Sequence, residues 1–301
     1  MPQKPWLTFA QKEIIFYIPR KFFKIPWTEK LLATFIQKRV CIKLLKQFLP
    51  LPKSYPKPTF RHCFHQGIRF TYDISDTVDW YNYFNLPQLP LKRLLKFIGK
   101  NAVVMDIGAN IGTFSLPLAQ YCTYGNVHSF EPHEQSFERL KNNIDQNIFT
   151  NISIYNVACS SHEGTAPLYE TNEHNSGMNR LSKSPDKDDI SFATVQLITL
   201  DSFVCKNNIS VIDAIKIDAE GHEYDILQGA YESLKKFSPL LLIELDDRLL
   251  RQQGYSAEKL IKLLQSHGYQ YIQNAETREA ISTRAILKGC VMDIFCSKKI
   301  I

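Results

Sequence analysis

No two cysteines in this chain are spaced Cys-x-x-Cys; the seven stand singly at positions 41, 63, 122, 159, 205, 290 and 296. An odd, scattered set is no disulfide framework, and reduced thiols in a cytoplasmic protein are the expectation. The chain also lacks a continuous run of about 18 apolar residues, so no transmembrane helix is expected. Its N-terminus has no unbroken apolar core followed by a small-residue cleavage site, so no secretory signal is expected either. Internal repeats and low-complexity tracts are absent. What remains is an ordinary globular balance over 301 residues, 44% hydrophobic and 22% charged. That is enough to bury a sizeable core, as one large domain or one domain with an extension.

The net charge of +6 conceals an asymmetry. Residues 1–61 carry thirteen Lys and Arg against only Glu13 and Glu29, a surplus of +11, whereas the other 240 residues sum to −5. A segment so basic calls for an anionic partner, either a membrane surface or a nucleic acid. Within it, the spacing of Leu31, Leu32, Phe35, Ile36, Val40, Leu44, Leu45 and Phe48 predicts a helix over Thr28–Leu49. Lys30, Lys38, Arg39, Lys43 and Lys46 lie among them, and Pro50, Pro52, Pro56 and Pro58 follow as a breaker. Such a helix either lies on an anionic bilayer or packs on its own domain with its lysines in water. The boundary of this basic, mostly helical N-terminal extension is placed at 61, with a second domain over 62–301.

Residues 67–99 bridge the two parts. Ile68–Ile74 alternates like a strand, Asp76 or Thr77 can cap a short helix through Tyr83, and Leu89–Ile98 reads as another helix. The pattern then becomes regular. Strands are predicted at Ala102–Ile107, Asn126–Phe130, Ile152–Val157, Ala214–Ile217 and Leu240–Leu245, with two more near Tyr269–Ile272 and Cys290–Phe295. Helices are predicted at Thr113–Tyr121, His133–Gln146, between the strands at 217 and 240, and at Ser256–His267. Strands alternating with helices imply a doubly wound α/β fold. Residues 171–193 are polar and aperiodic and read as an insertion loop.

Three short strings carry the chemistry. The first, Val103 to Thr113, is a strand, a glycine-rich turn and a helix start. Gly108 and Gly112 permit a sharp turn and close ligand approach at the carboxyl end of a strand. Ala109 and Asn110 between them break the G-x-G-x-x-G spacing, and no Gly-Lys-Ser/Thr follows, so neither a dinucleotide fingerprint nor a P-loop is present. Asp106 beside the turn disfavours phosphate and suits a ligand with a cationic sulfonium and an α-ammonium group. In the second string, Glu131 of Ser129-Phe130-Glu131-Pro132 ends the next strand, 25 residues after Asp106. A carboxylate there accepts hydrogen bonds from both ribose hydroxyls, or interacts with the dipole of the helix that follows. The third string, Ile215 to Glu223, sets Asp218, Glu220 and Glu223 just past an apolar strand. Mutual repulsion should raise at least one carboxyl pKa, as a general base requires, and the set also offers oxygen ligands to a divalent cation. Glu223 fits a charge at the next helix N-terminus better than Asp218 does. His222 at that helix start reads as structural, and His62, Cys63 and His65 lack the second ligand pair that zinc needs.

In order and spacing, these strings resemble the FkbM-type methyltransferase family. The likeness runs from about Val103 to Glu244, half the chain, and excludes the basic segment. It takes in Asn156-Val157-Ala158, Thr199-Leu200-Asp201 and Pro239 to Glu244 as well. It implies a seven-stranded class I methyltransferase sheet, Rossmann-like, and O-methyl transfer from S-adenosylmethionine to a sugar, glycan or other small-molecule hydroxyl. On that resemblance Asp106, Gly108, Asn110 and Gly112 hold the methionine part of the cofactor. Glu131 takes the ribose, Asn156 and Ala158 lie beside the adenine, and Asp218 and Glu220 line the acceptor pocket as catalytic candidates. Two other classes stand beside it: a nucleic-acid methyltransferase, suggested by the basic segment, and a non-catalytic module of the same fold docked at a membrane.

Overall fold

The computed structural model describes residues 17–37, 46–84, 89–170, 180–181, 190–281 and 287–300. The chain divides into two compact units, residues 1–65 with 70–87, and residues 66–69 with 88–301. Among the described residues, no helix is long and apolar enough to cross a membrane.

The first unit holds helix α1 (Pro26–Gln37), strand β1 (Phe60–His65), strand β2 (Ile68–Asp73) from residue 70 onward, and helix α2 (Thr77–Tyr83). Proline in the first turn of α1 forfeits only an amide that has no helical partner there. Leu32, Ala33 and Ile36 bury one stripe of α1. The same face carries Glu29, fully buried, whose carboxylate accepts from Arg61 Nε at 2.7 Å and from the Tyr55 hydroxyl at 2.9 Å. The predicted helix over Thr28–Leu49 thus starts two residues early, and its part over 38–45 lies outside the described residues. Asp76 caps α2 by accepting from the Val78 and Asp79 amides. Alternation along β1 sets His62 on the face opposite Cys63 and His65, so the three side chains do not converge.

The second unit carries, in chain order, α3 (Leu89–Phe97), β3 (Val103–Ile107), α4 (Ser115–Tyr121), β4 (Asn126–Phe130), α5 (Glu134–Asp145) and β5 (Ile152–Tyr155). There follow β6 (Ala158–Cys159), β7 (Gly164–Glu170), β8 (Ile190–Ile198), α6 (Leu200–Lys206), β9 (Ala214–Ile217), α7 (Glu223–Gln228), α8 (Tyr231–Phe237) and β10 (Leu240–Asp246). The last elements are α9 (Asp247–Gln252), α10 (Ala257–Ser266), β11 (Tyr271–Asn274) and β12 (Val291–Ser297).

Seven strands form one sheet in the order β11-β12-β10-β9-β3-β4-β5. β10, β9, β3, β4 and β5 run parallel, and β12 is antiparallel to both its neighbours. The seven-stranded, mostly parallel α/β sheet expected from the sequence is therefore present. Its central strands read as continuous apolar runs because both faces are covered. Met105, Ile107, Ile215, Ile217, Leu241 and Ile243 pack on one face with Leu227, Leu234 and Leu260. Val104, Ala214, Leu242 and Val127 pack on the other with Leu94 and Leu118. The single helix expected between β9 and β10 is two, α7 and α8, with Gly229 and Ala230 between them. A Cβ on Gly229 would overlap the carbonyl oxygen of Ser160.

A separate three-stranded sheet, β6-β8-β7, was not predicted. Residues 190–193, taken as the end of a loop, belong to β8; residues 171–179 and 182–189 of that loop lie outside the described residues. β7 carries Pro167 and survives as a strand because it sits at the sheet edge.

Candidate active site

β3 is flanked by β4 on one side and β9 on the other, so the chain reverses its direction of travel across the sheet between β3 and β9. Open α/β sheets bind ligands outside the carboxyl ends of the strands at such a point. The three strings singled out in the sequence all end there. Asp218 N–H donates to the Ile107 carbonyl at 3.1 Å, and the Gly108 and Ala109 amides donate to the Phe130 carbonyl at 3.0 Å each.

The loop after β3 is built from left-handed residues, with φ of 76° at Gly108, 48° at Asn110 and 94° at Gly112. Glycine at 108 is a steric requirement as well, since a Cβ there would overlap the Asp218 carbonyl oxygen. Asn110 accepts the left-handed conformation more readily than most side chains. Its N–H donates to Glu131 Oε2 at 2.7 Å, while its own Oδ1 is buried with no hydrogen-bond donor. A buried acceptor without a donor costs roughly 1–3 kcal/mol. At a ligand-binding crevice it is the mark expected of an atom whose partner comes from a ligand.

Glu131 is buried and holds the second loop. Its carboxylate accepts from Asn110 N–H and, through Oε1, from His133 N–H at 2.9 Å. Two of its four acceptor positions are left for a ligand's hydroxyls. Burial pushes its carboxyl up to about 7, against the two amide hydrogen bonds that favour the charged form. Asn156 Nδ2 donates to the Glu131 and Pro132 carbonyls at 2.9 and 3.2 Å, so this side chain buckles the Glu131 loop. Ala158 is buried with Leu168, Val195 and Leu197 in the core of the small sheet.

The structure puts Asp106 to a use the sequence did not suggest. It is fully buried on β3, directly paired in register with Lys216 on β9. Lys216 Nζ lies 3.3 Å from Asp106 Oδ1 and 3.5 Å from Asp218 Oδ2, and donates to the Gly108 carbonyl at 2.7 Å. The 3.3 Å pair is a charge contact without hydrogen-bond alignment, and Asp106 takes its hydrogen bond from Ser115 Oγ at 2.5 Å instead. Asp106 is therefore set against a lysine of this chain. Burial alone would lower the Lys216 pKa, but Asp218 and Asp106 outweigh it and hold the ammonium charged. Lys216 was the functional residue most clearly missed; its signal was a lone charge in a four-residue apolar strand.

Beyond β9 the carboxylates crowd. Asp218, Glu220 and Glu244 each place one oxygen within 4.8 Å of the others. Among the described residues this is the only group of three able to share a metal ion. Glu220 has φ of 51°, a left-handed backbone that turns the loop just before Gly221. Burial first, then the charge of Asp218, pushes its carboxyl up to about 8. Glu244, on β10, is driven well above the usual range by Asp218 and then by burial, and its Oε2 is buried without a hydrogen-bond partner. Asp293, opposite Glu244 on β12, rises to about 6 for the same reasons in reverse order. Neither Glu244 nor Asp293 was assigned a role from the sequence. Glu223 does structural work: its Oε1 accepts from the Ala219 and Gly221 amides at 3.0 and 3.1 Å and so closes the loop that presents Asp218 and Glu220. His222 stands at the N-cap position of α7 without a side-chain cap hydrogen bond, and its Nε2 meets Ser160 Oγ at 3.0 Å.

The arrangement is a glycine-rich loop and the buried carboxylate of Glu131 at the ends of β3 and β4, with the raised carboxyls of Glu220 and Glu244 beyond β9 and on β10. Residues 106–271 match the model of the Methyltransferase FkbM domain. Hexuronic acid methyltransferase AglP of Haloferax volcanii is 28% identical over 145 residues, 48% of this chain and 56% of that protein. A methyltransferase FkbM from Methylobacillus flagellatus is 16% identical in structure-based comparison, with a TM-score of 0.43 over 66% of this chain and 44% of that one. M. jannaschii TYW2 in complex with AdoMet is 15% identical, with a TM-score of 0.40 over 81% of this chain and 87% of that one. This chain thus spans about half the length of the first two.

Proposed function

The chain belongs to the FkbM methyltransferase domain family, and we propose that it moves a methyl group from S-adenosylmethionine to a hydroxyl of a sugar, glycan or other small molecule. The observation that carries this reading is the meeting, at one switch point, of the Gly108–Gly112 loop and Glu131 with the raised-pKa carboxylates Glu220 and Glu244. The sugar class is suggested by the hexuronic acid named for the Haloferax relative.

S-adenosylmethionine supplies an electrophilic methyl on a cationic sulfur. Glu131 offers its two remaining acceptor positions to ribose hydroxyls, and Asn110 Oδ1 offers an acceptor to a further donor of the cofactor. Asp218, held beside Lys216, and Glu220 are the groups that take the proton of an acceptor hydroxyl as it becomes a nucleophile. Holding the hydroxyl in line contributes through positioning, and proton removal typically adds ~10²–10⁴-fold. Lys216 keeps the loop carbonyl of Gly108 and the two aspartates in place from below.

A carboxyl raised to about 8 is protonated at neutral pH and becomes a base only above that value. The kcat/KM for an acceptor should therefore climb from pH 6 and level off above about 8. A profile flat across this range removes Glu220 as the base. The same measurement with added Mg²⁺ reports on the cation. Metal held by Asp218, Glu220 and Glu244 would displace protons and move the plateau to lower pH, whereas a profile unchanged by Mg²⁺ or by chelator leaves proton transfer to the carboxylates alone. The activity itself is tested by transfer of a labelled methyl group to hexuronic acids, neutral sugars and RNA. Label on a sugar hydroxyl supports the reading, and label on RNA alone overturns it.

A further inference from the structure

We propose that the outer face of α1, together with residues 17–25, docks on an anionic lipid bilayer. Helix α1 is apolar on two sides. Leu32, Ala33 and Ile36 are buried, and on the opposite side Trp27, Leu31 and Phe35, spaced i, i+4 and i+8, are 65%, 49% and 45% exposed. The helical turns just before it add exposed Tyr17, Ile18 and Phe22, with Ile25 at their end. The Phe22 ring stands edge-on to Trp27 with centroids 6.1 Å apart, which joins the two helical pieces into one strip. A surface helix of a soluble domain needs only one apolar stripe. The second stripe gives seven large apolar side chains to water over 19 residues, far beyond scattered exposure.

Charge selects the occupant. Arg20, Lys21, Lys24 and Lys30 are interspersed with the strip, and the only acid between residues 17 and 37 is Glu29, buried and paired with Arg61. A second copy of this chain, meeting it through the same patch, would set like charges against each other. Nucleic acid would answer the lysines but leave Ile18, Ile25 and Leu31 in water. A bilayer with anionic headgroups answers both: aromatic and aliphatic side chains enter the acyl boundary while lysines reach the phosphates. The sequence left this helix either on a bilayer or packed on its own domain; in the structure one stripe is buried, and Trp27, Leu31 and Phe35 stand exposed on the other side.

The test is flotation of the full chain with phosphatidylcholine vesicles, with and without phosphatidylglycerol. The full chain should float with the anionic vesicles and be partly released by salt. The triple variant W27S/L31S/F35S, which touches only exposed positions, should lose at least tenfold in bound fraction with an unchanged thermal midpoint. The pair K21Q/K30Q should reduce binding to the anionic vesicles selectively. No flotation of the full chain, equal flotation with pure phosphatidylcholine, or undiminished binding by the triple variant overturns the proposal. So does sedimentation showing a dimer that the triple variant dissolves, because the strip is then an interface between copies.

Discussion

Replacing Lys216 with methionine should cost about 3–5 kcal/mol of folding free energy, the penalty for leaving a buried charge uncompensated. Asp106 is fully buried, the Lys216 side chain is 5% exposed, and the two face each other across β3 and β9, so solvent screening does little here. Methionine fills the volume but supplies no charge, and it strips the Gly108 carbonyl of its 2.7 Å donor. Urea denaturation reads the loss directly, through the midpoint at constant slope. The double variant D106N/K216M should recover much of it. Asparagine keeps an acceptor for Ser115 Oγ, and no bare charge is then left in the core. A K216M protein within 1 kcal/mol of the parent, against the expected ~3–5 kcal/mol, would show that the pair is not what neutralises the floor of the crevice.

Replacing Asp218 with asparagine, or Glu220 with glutamine, should lower kcat by roughly 10²–10⁴-fold, the usual range for a lost general base. Cofactor affinity should change little, because neither side chain belongs to the Gly108–Gly112 loop or to the Glu131 loop. The two substitutions differ in a second readout. E220Q should also flatten the rise of kcat/KM toward pH 8, since the group responsible for it no longer titrates. D218N removes the charge that contributes to raising Glu220 and that stands first in raising Glu244, so any residual activity should shift its profile to lower pH. Full turnover in both variants would remove these carboxylates from the chemistry.

Local signals made much of this fold legible. The apolar runs at Val103–Ile107 and Ala214–Ile217, the cap at Asp76 and the helix start at Ser256 depend on neighbours in sequence, and the structure places them within a residue or two of expectation. The β6-β8-β7 sheet was hidden because its strands are separated by a long polar stretch and one carries a proline. In the site, the glycine turn, Glu131 and the Asp218–Glu223 string were visible because each is short and contiguous. Lys216 was passed over because its partner Asp106 lies 110 residues away and meets it only through the register of β3 on β9. Glu244 and Asp293 were passed over likewise: each looks like a stray charge in an apolar strand until β10 and β12 pair and set them opposite one another.

The central claim is that this crevice binds S-adenosylmethionine through Glu131, and calorimetric titration tests it most directly. Glu131 rises to about 7 in the free protein, and hydrogen bonds from ribose hydroxyls favour its charged form. Affinity should therefore increase from pH 6 to pH 8, with proton release on binding at the lower pH. E131A should bind at least tenfold more weakly and lose this dependence. E131Q should also weaken, because its amide NH₂ would face one of the two backbone N–H groups that the carboxylate now accepts. Saturable binding with that pH dependence in the parent, lost in both variants, is the predicted result. A folded parent that takes up no S-adenosylmethionine, or an E131A protein that binds it as tightly as the parent at both pH values, would contradict the account.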